Sequence, residues 1–258
     1  MRYGCCAPLD QYELVKAAGF DSMVLAATEV IEMEEDELRR VREMMAQDHI
    51  SCTALNGFCE ADLILCGEGF EEEAVAVYAK RLMPRAAALG ITMIGIGAPK
   101  SRVVANMKEL PQDMKQFETS IRILCEEAAK WNMEILMESV CTLQCNFITT
   151  NQESCEFVRR LNLDNLFMVY DTYHAYMMRE NPAYIHECAD KIHIVHVCEN
   201  KDNQRYYLTE ENEEQLRPYL AEIQAVGYDG EVAVESFVTY ESAAADMIRS
   251  RKILGRLV

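Results

Sequence analysis

The chain has 258 residues, 50% of them hydrophobic, and can therefore bury a large core. Its formal net charge of −18 argues against nucleic-acid binding, because phosphate recognition needs clustered lysine and arginine. Apolar runs stay well below the ~20 residues of a membrane-spanning helix, and the 11 scattered cysteines indicate reduced thiols, so we predict a cytoplasmic protein without a membrane partner.

Short runs of β-forming residues alternate with amphipathic helical stretches along the chain. The predicted strands lie at 2–6, 22–27, 51–58, 92–99, 134–139, 166–172, 192–198 and 231–236. This alternation indicates parallel strands joined by right-handed crossovers. Eight strand–helix units in 258 residues predict an α/β fold, a single (β/α)8 TIM barrel. Gly19, Gly90 and Gly227 stand where helices would end before a strand.

An open, doubly wound sheet is the alternative fold. Such a sheet usually carries a GxGxxG turn after its first strand, but the corresponding residues here are GCCAPLD. No change in composition and no Pro/Gly/Ser-rich linker divides the chain. We therefore predict one TIM-barrel domain over residues 1–258.

Four successive predicted strands end on a residue that can bind a divalent metal. These residues are Glu138, Asp171, His196 and Glu235. The carboxyl ends of barrel strands build the active site, and neighbouring strands lie about 4.8 Å apart, so the four side chains could converge on one ion. Three carboxylates and one imidazole favour Mn²⁺, with Mg²⁺, Co²⁺ and Zn²⁺ as alternatives.

Each strand end also has a simpler explanation when it is taken alone. An acid there can cap a helix, and a histidine can be a buried, hydrogen-bonded core residue. The metal hypothesis therefore depends on all four side chains sharing one face of the barrel. His193 lies three residues before His196 and would point to the opposite face of its strand, so we do not expect it to be a ligand.

The two glutamates suggest paired proton transfer. Glu138 and Glu235 end the similar segments LMES and AVES. Beside a metal-bound hydroxyketone, one carboxylate could remove a proton next to the carbonyl and the other could return one to the enediolate. Return from the opposite face gives epimerisation, and return to the neighbouring carbon gives aldose–ketose isomerisation. The sequence leaves both reactions open.

Two motifs carry a family resemblance that extends over nearly the whole chain. They are the DTYH segment from Asp171 to His174 and the ending GYDGEVAVE from Gly227 to Glu235. The chain resembles the xylose-isomerase-like barrels of the sugar phosphate isomerase/epimerase superfamily, which includes ketose 3-epimerases, hydroxypyruvate isomerases and inosose dehydratases. The resemblance implies that the four residues hold one metal, that the two glutamates act as acid and base, and that His174 contacts a substrate hydroxyl. Family barrels often form homodimers or homotetramers.

One segment departs from the family pattern. Its epimerases usually carry an arginine shortly after the strand-seven histidine, followed by a loop with proline and glycine. Residues 200–207 contain neither, and Arg205 stands later than expected. We expect Arg205 to hold a substrate oxygen, with Lys201 as the alternative. Lys100 and Arg102 also lie in predicted active-face loops and could bind a phosphate, although an unphosphorylated polyol is favoured.

Three functions follow from these residues. The leading one is a divalent-metal-dependent sugar isomerase or epimerase acting through an enediolate on a small ketose or related polyol. The second is a metal-dependent dehydratase or lyase on a cyclic polyol or dehydroshikimate-like acid. The third is a non-catalytic barrel that binds a sugar or a partner protein. The superfamily also contains apurinic endonucleases, which need several histidines for a metal cluster. This chain has only five histidines in all, so we do not expect it to be a nuclease.

Overall fold

A computed structural model describes residues 1–257. The predicted closed barrel is confirmed. Its eight parallel strands are β1 Arg2–Cys6, β2 Ser22–Ala26, β3 Ala54–Asn56, β4 Met93–Ile96, β5 Glu134–Glu138, β6 Leu166–Asp171, β7 Ile192–Val197 and β10 Glu231–Glu235. Around the barrel they follow the order β1-β10-β7-β6-β5-β4-β3-β2. Each predicted strand is found, and the third and fourth are shorter than predicted.

Helices surround the barrel and follow its strands. They are α1 Tyr12–Ala18, α2 Ala27–Val30, α3 Glu35–Asp48, α4 Glu72–Leu89, α5 Leu110–Ala129, α6 Asn151–Leu161, α7 Thr172–Met177, α8 Ile185–Cys188, α9 Glu213–Ala225 and α10 Ala243–Leu257. Short 3-10 turns lie at Leu9–Gln11, Pro182–Tyr184, Ala189–Lys191 and Glu210–Asn212. Among the described helices, none is at once long and apolar enough to cross a membrane.

The ends of several helices follow from local chemistry. Gly19 and Gly90 have φ of 79° and 87° and close α1 and α4 in the left-handed region, where glycine has no Cβ penalty. At the start of α6, Thr150 and Glu153 form a reciprocal capping box. These ends set the lengths of the connections that return the chain to the barrel.

The barrel interior is filled with side chains rather than open. One buried side chain from nearly every strand forms its layer, namely Cys6, Val24, Ala54, Leu136, Val169, Ile194 and Ala233, with Met93 packed against them. Alternate strand residues such as Cys5 and Met23 join the larger apolar layer beneath the helices. The strands therefore form a rigid floor under the side chains at their carboxyl ends.

The unusual segment after β7 folds as an antiparallel hairpin. Its strands are β8 Glu199–Lys201 and β9 Gln204–Tyr206. Asp202 and Asn203 link them with φ of 53° and 58°, and positive φ at both central residues is typical of a tight two-residue hairpin turn. Buried Glu199 anchors the base by accepting hydrogen bonds from Thr209 and from the Tyr240 hydroxyl.

Candidate metal centre and active site

The structure brings the four predicted metal ligands together. Glu138, Asp171 and Glu235 are the last residues of β5, β6 and β10, and His196 is the last but one of β7. Asp171 and His196 are direct partners in the parallel ladder. One ligand atom from each of the four residues lies within 4.8 Å of the others, and all four side chains are buried. We call this set the four-residue group.

The predicted non-ligand His193 lies outside the four-residue group, but it does not point to the opposite face of β7 as expected. The register between β6 and β7 shifts at this point, and the His193 ring stacks, with centroids 3.6 Å apart, on Phe167, which packs against the interior layer of the barrel. Its Nδ1 is 2.6 Å from a carboxylate oxygen of Glu134 at the start of β5. This histidine therefore belongs to the amino-terminal end of the barrel.

Buried carboxylates and unpaired polar atoms in the group favour a bound cation. Burial, together with the charges of Glu235 and Asp171, raises the pKa of Glu138 to about 7, although contact with His196 partly offsets this. Glu138 Oε1 and His196 Nδ1 are both buried without a hydrogen-bond partner, although they lie 3.7 Å apart. Buried polar atoms without a hydrogen-bond partner are costly. A carboxylate oxygen and an imidazole nitrogen left free in one place suit a divalent metal, so the residues fit the predicted ion.

This carboxyl leads to a pH-dependent prediction. Below about pH 7 Glu138 holds a proton that a metal must displace, because the pKa of its carboxyl is raised to about 7. Burial alone would lower the pKa of His196, but the neighbouring Cys6 and Glu235 raise it well above its usual value, so a metal must displace this proton as well. We therefore expect the apparent Mn²⁺ affinity of the metal-free protein to fall by at least about tenfold for each pH unit below about 7. Calorimetric titrations at several pH values measure this, and an affinity independent of pH between about 5 and 7 would contradict it.

Arg205 reaches the group from the hairpin. Its Nη2 donates to Asp171 Oδ2 at 2.6 Å, and Nη1 lies 2.7 Å from Glu235 Oε2 without the alignment of a hydrogen bond. Burial alone would raise the pKa of Asp171, but Arg205 and the neighbouring His174 hold it well below its usual value. The guanidinium also lies over the Tyr173 ring, 4.3 Å from its centroid. The hairpin thus compensates for the late position of this arginine in the sequence.

His174 also faces the group, from the first turn of α7. Its Nδ1 accepts the Cys141 backbone N–H at 3.0 Å, which directs Nε2 towards Arg205 Nη2, 2.9 Å away. Burial lowers the pKa of His174 to about 4, so the ring is neutral near pH 7. The structure therefore places both predicted substrate-binding residues beside the four-residue group.

Two further residues that the sequence did not single out position the glutamates. Asn56, the last residue of β3, donates from Nδ2 to Glu235 Oε1 at 2.8 Å. Its place at a strand end is the signal that could have identified it. Gly97, just after β4, leaves room for the other glutamate, because a Cβ there would lie 2.6 Å from Glu138 Oε2.

We therefore expect Gly97→Ala to displace the Glu138 carboxylate. The Mn²⁺ affinity should fall by about 10–100-fold, the usual effect of disturbing a residue that supports a ligand. The matched control is Gly255→Ala in α10, where an added Cβ would meet only the flexible end of Arg251 at 3.2 Å. Equal Mn²⁺ affinity of both variants in titration calorimetry would show that Gly97 has no such role.

Arg102 and Lys201, two loop cations considered as substrate-binding residues, have other partners in the structure. Arg102 is completely buried, and it donates to the backbone carbonyls of Gly97, Glu138 and Phe147 at 2.6, 3.0 and 2.7 Å. The idea that it binds a substrate phosphate is therefore wrong. Lys201 packs on the Tyr240 ring, with Nζ 4.9 Å from its centroid.

A cavity of about 330 Å³ opens beside the group. Cys6 and Asn56 line it and connect it to the site through their contacts with His196 and Glu235. All its lining side chains are uncharged, including Gln11 and Phe237. A larger cavity of about 500 Å³ lies elsewhere and contains none of the predicted site residues. The cavity of about 330 Å³ is therefore the candidate substrate pocket, because Cys6 and Asn56 connect it to the four-residue group.

Comparison with known proteins identifies the class of this barrel. Residues 12–254 match the family described as xylose isomerase-like TIM barrel. The chain belongs to this family, as the DTYH and GYDG motifs suggested.

Individual relatives are more distant. The chain is 23% identical over 256 residues to the inosose isomerase of Bacillus velezensis, covering 93% of this chain and 88% of that protein. A crystal structure of D-psicose 3-epimerase in the presence of D-fructose has a TM-score of 0.85 at 18% identity, covering 99% and 98% of the two chains. A crystal structure of the IolI protein with a bound zinc atom has a TM-score of 0.79 at 20% identity, covering 100% and 98%.

Proposed function

We propose that this protein is a divalent-metal-dependent sugar isomerase or epimerase that acts through an enediolate on a small ketose or related polyol. The observation that carries the proposal is the four-residue group, in which two glutamates, an aspartate and a histidine converge within 4.8 Å at the carboxyl end of the barrel. The comparisons bear out an enzyme of the isomerase or epimerase kind, since an inosose isomerase and a ketose 3-epimerase are among its relatives.

Glu138, Asp171, His196 and Glu235 would hold the cation. When bound, a divalent ion would stabilise negative charge on the substrate's carbonyl and hydroxyl oxygens. Three carboxylates beside one imidazole support Mn²⁺, because hard oxygen donors prefer such ions. Chelated protein resupplied with single metals tests this choice, and greater activity with Mg²⁺, Co²⁺ or Zn²⁺ than with Mn²⁺ would count against it.

The protein's own residues would move the proton. One of Glu138 and Glu235 removes the proton from the carbon next to the carbonyl, and the other returns a proton. Asn56 donates a hydrogen bond to Oε1 of Glu235. The other carboxylate oxygen, Oε2, faces His196 and Arg205. His174 Nε2 and Arg205 lie together beside Asp171 and would orient a substrate hydroxyl.

The charge around the pocket favours an unphosphorylated substrate. The candidate pocket has no charged lining side chain. Among the cations predicted for this face, Arg102 is bound to carbonyls and Arg205 to carboxylates. A phosphate dianion needs cations that are free to bind it. We also propose one domain over residues 1–258, a cytoplasmic location, assembly as a dimer or tetramer, and no nucleic-acid partner.

Solvent exchange tests the proposed function. With Mn²⁺, the protein should incorporate deuterium from D₂O into a ketose or an inosose within a panel of unphosphorylated sugars, and a chelator should stop the exchange. Absence of exchange in protein shown to contain metal would refute the proposal and favour a non-catalytic barrel. An enone absorbance from inosose or dehydroshikimate would instead identify the dehydratase.

A further inference from the structure

A cysteine lies against the histidine of the four-residue group. Cys6 is the last residue of β1 and the direct ladder partner of Glu235. Its Sγ is 4.0 Å from His196 Nε2, and its side chain lines the candidate substrate pocket. It takes no part in the proton transfers proposed above.

The two nitrogens of His196 face different partners. Nδ1 lies 3.7 Å from Glu138 Oε1 and 3.6 Å from Glu235 Oε2, whereas Nε2 is the atom beside Cys6. Ligand atoms of Cys6, His196 and Glu235 also lie within 4.8 Å of one another. We call these three residues the thiol group. It shares two members with the four-residue group but has a different donor chemistry.

The donors of the thiol group suit a soft cation. A thiolate, an imidazole and a carboxylate are the ligands that Zn²⁺ takes in proteins. Typical Zn–S and Zn–N bonds add up to about 4.4 Å, so one ion could contact Cys6 Sγ and His196 Nε2 across the observed gap of 4.0 Å. The open cavity beside Cys6 gives an ion access and leaves a coordination position for water.

We propose that Cys6, His196 and Glu235 form a second metal-binding site, selective for thiophilic divalent cations such as Zn²⁺, Cd²⁺ and Co²⁺. The thiol proton passes to solvent as the metal–sulfur bond forms. Because Glu235 and His196 serve both groups, an ion bound here would compete with the function proposed for the four-residue group. The site itself depends on Cys6, whose role is separate from that function.

Cobalt reports on sulfur coordination directly. Metal-free protein, kept reduced with a phosphine, is titrated with Co²⁺ while the sulfur-to-cobalt charge-transfer absorbance is followed in the near ultraviolet. The band should appear in the wild type and in Asp171→Asn, which replaces a member of the four-residue group that the thiol group does not contain, and disappear in Cys6→Ser. Zn²⁺ affinity should fall at least about tenfold in Cys6→Ser. The matched control is Cys59→Ser, since Cys59 belongs to neither group and its thiol is hydrogen-bonded to Ser101.

Three results would overturn the site. They are no band in wild-type protein that has bound Co²⁺, a band that persists in Cys6→Ser, and a band lost equally in Cys59→Ser. X-ray absorption spectroscopy of the wild-type cobalt protein should detect one sulfur ligand, and it keeps the test independent of whether a variant folds. Mn²⁺ binding by Cys6→Ser is measured in parallel, because its loss would count against the four-residue group instead.

Discussion

Replacing Glu235 by glutamine should remove both the bound metal and the catalytic activity. The substitution keeps the size and the contact with Asn56 but deletes the charge that faces His196 Nδ1 at 3.6 Å and Arg205 Nη1 at 2.7 Å. Losing a positioned acid or base typically costs about 10²–10⁴-fold in rate. We expect kcat/KM to fall by at least about 10²-fold. The metal content of the purified protein should drop towards zero.

Glu134→Gln is the matched control for this experiment. Glu134 begins β5, at the opposite end of the barrel, and pairs with His193 rather than with the four-residue group. Its substitution should leave the metal content and kcat/KM close to those of the wild type. Metal analysis and steady-state kinetics on both variants give the comparison. Full metal occupancy in Glu235→Gln would refute the assignment of Glu235 as a ligand.

Replacing Arg102 by methionine should have the largest effect on stability. The guanidinium is fully buried between the rings of Phe117 and Phe147, with Cζ 5.7 and 5.4 Å from their centroids. Methionine would keep this apolar contact but leave the carbonyls of Gly97 and Glu138 without this donor, and that of Phe147 with only the weaker Cys145 thiol at 3.4 Å. Each buried polar group left unsatisfied costs about 1–3 kcal/mol, so we expect the free energy of unfolding to fall by at least about 2 kcal/mol.

The control for Arg102 is Arg160→Met. Arg160 also lies beside a phenylalanine, with Cζ 5.4 Å from the Phe157 centroid, but its side chain is 52% exposed and pairs with Glu118. Exposed ion pairs contribute about 0–1 kcal/mol. Urea unfolding of both variants measures the difference. If the free energy of unfolding of Arg102→Met fell by less than about 1 kcal/mol, the prediction would be wrong, and water would have to satisfy the carbonyls that Arg102 binds.

Arg102 also illustrates how stability and function are linked in this barrel. It joins the carboxyl ends of β4 and β5 through the carbonyls of Gly97 and Glu138. Gly97 also leaves the space that the Glu138 carboxylate occupies, because a Cβ there would lie 2.6 Å from Glu138 Oε2. An Arg102 variant that is destabilised but still folds should therefore also bind metal less tightly, because Arg102 would no longer hold the backbone of the metal ligand Glu138.

The polar strand ends were the most predictable part of the site. Glu138, Asp171, His196 and Glu235 each follow a run of β-forming residues, and parallel strands in a closed barrel place all such ends on one face. The strand count predicted that they share one face, and the structure brings one ligand atom of each within 4.8 Å of the others. Asn56 obeys the same rule, but β3 is only three residues long, and the longer predicted run, 51–58, concealed where it ends.

By itself, the sequence determined the barrel, the order of its strands and the residues at the carboxyl ends of β5, β6, β7 and β10. These properties depend on local β-propensity, on helix periodicity and on the two-residue alternation of strands, which are all readable along the chain. Tertiary structure alone decided that Arg205 enters the group, that Arg102 turns inward, and that Cys6 lies 4.0 Å from His196. Such contacts join residues far apart in sequence, and their geometry depends on a hairpin turn and on barrel closure rather than on neighbouring residues.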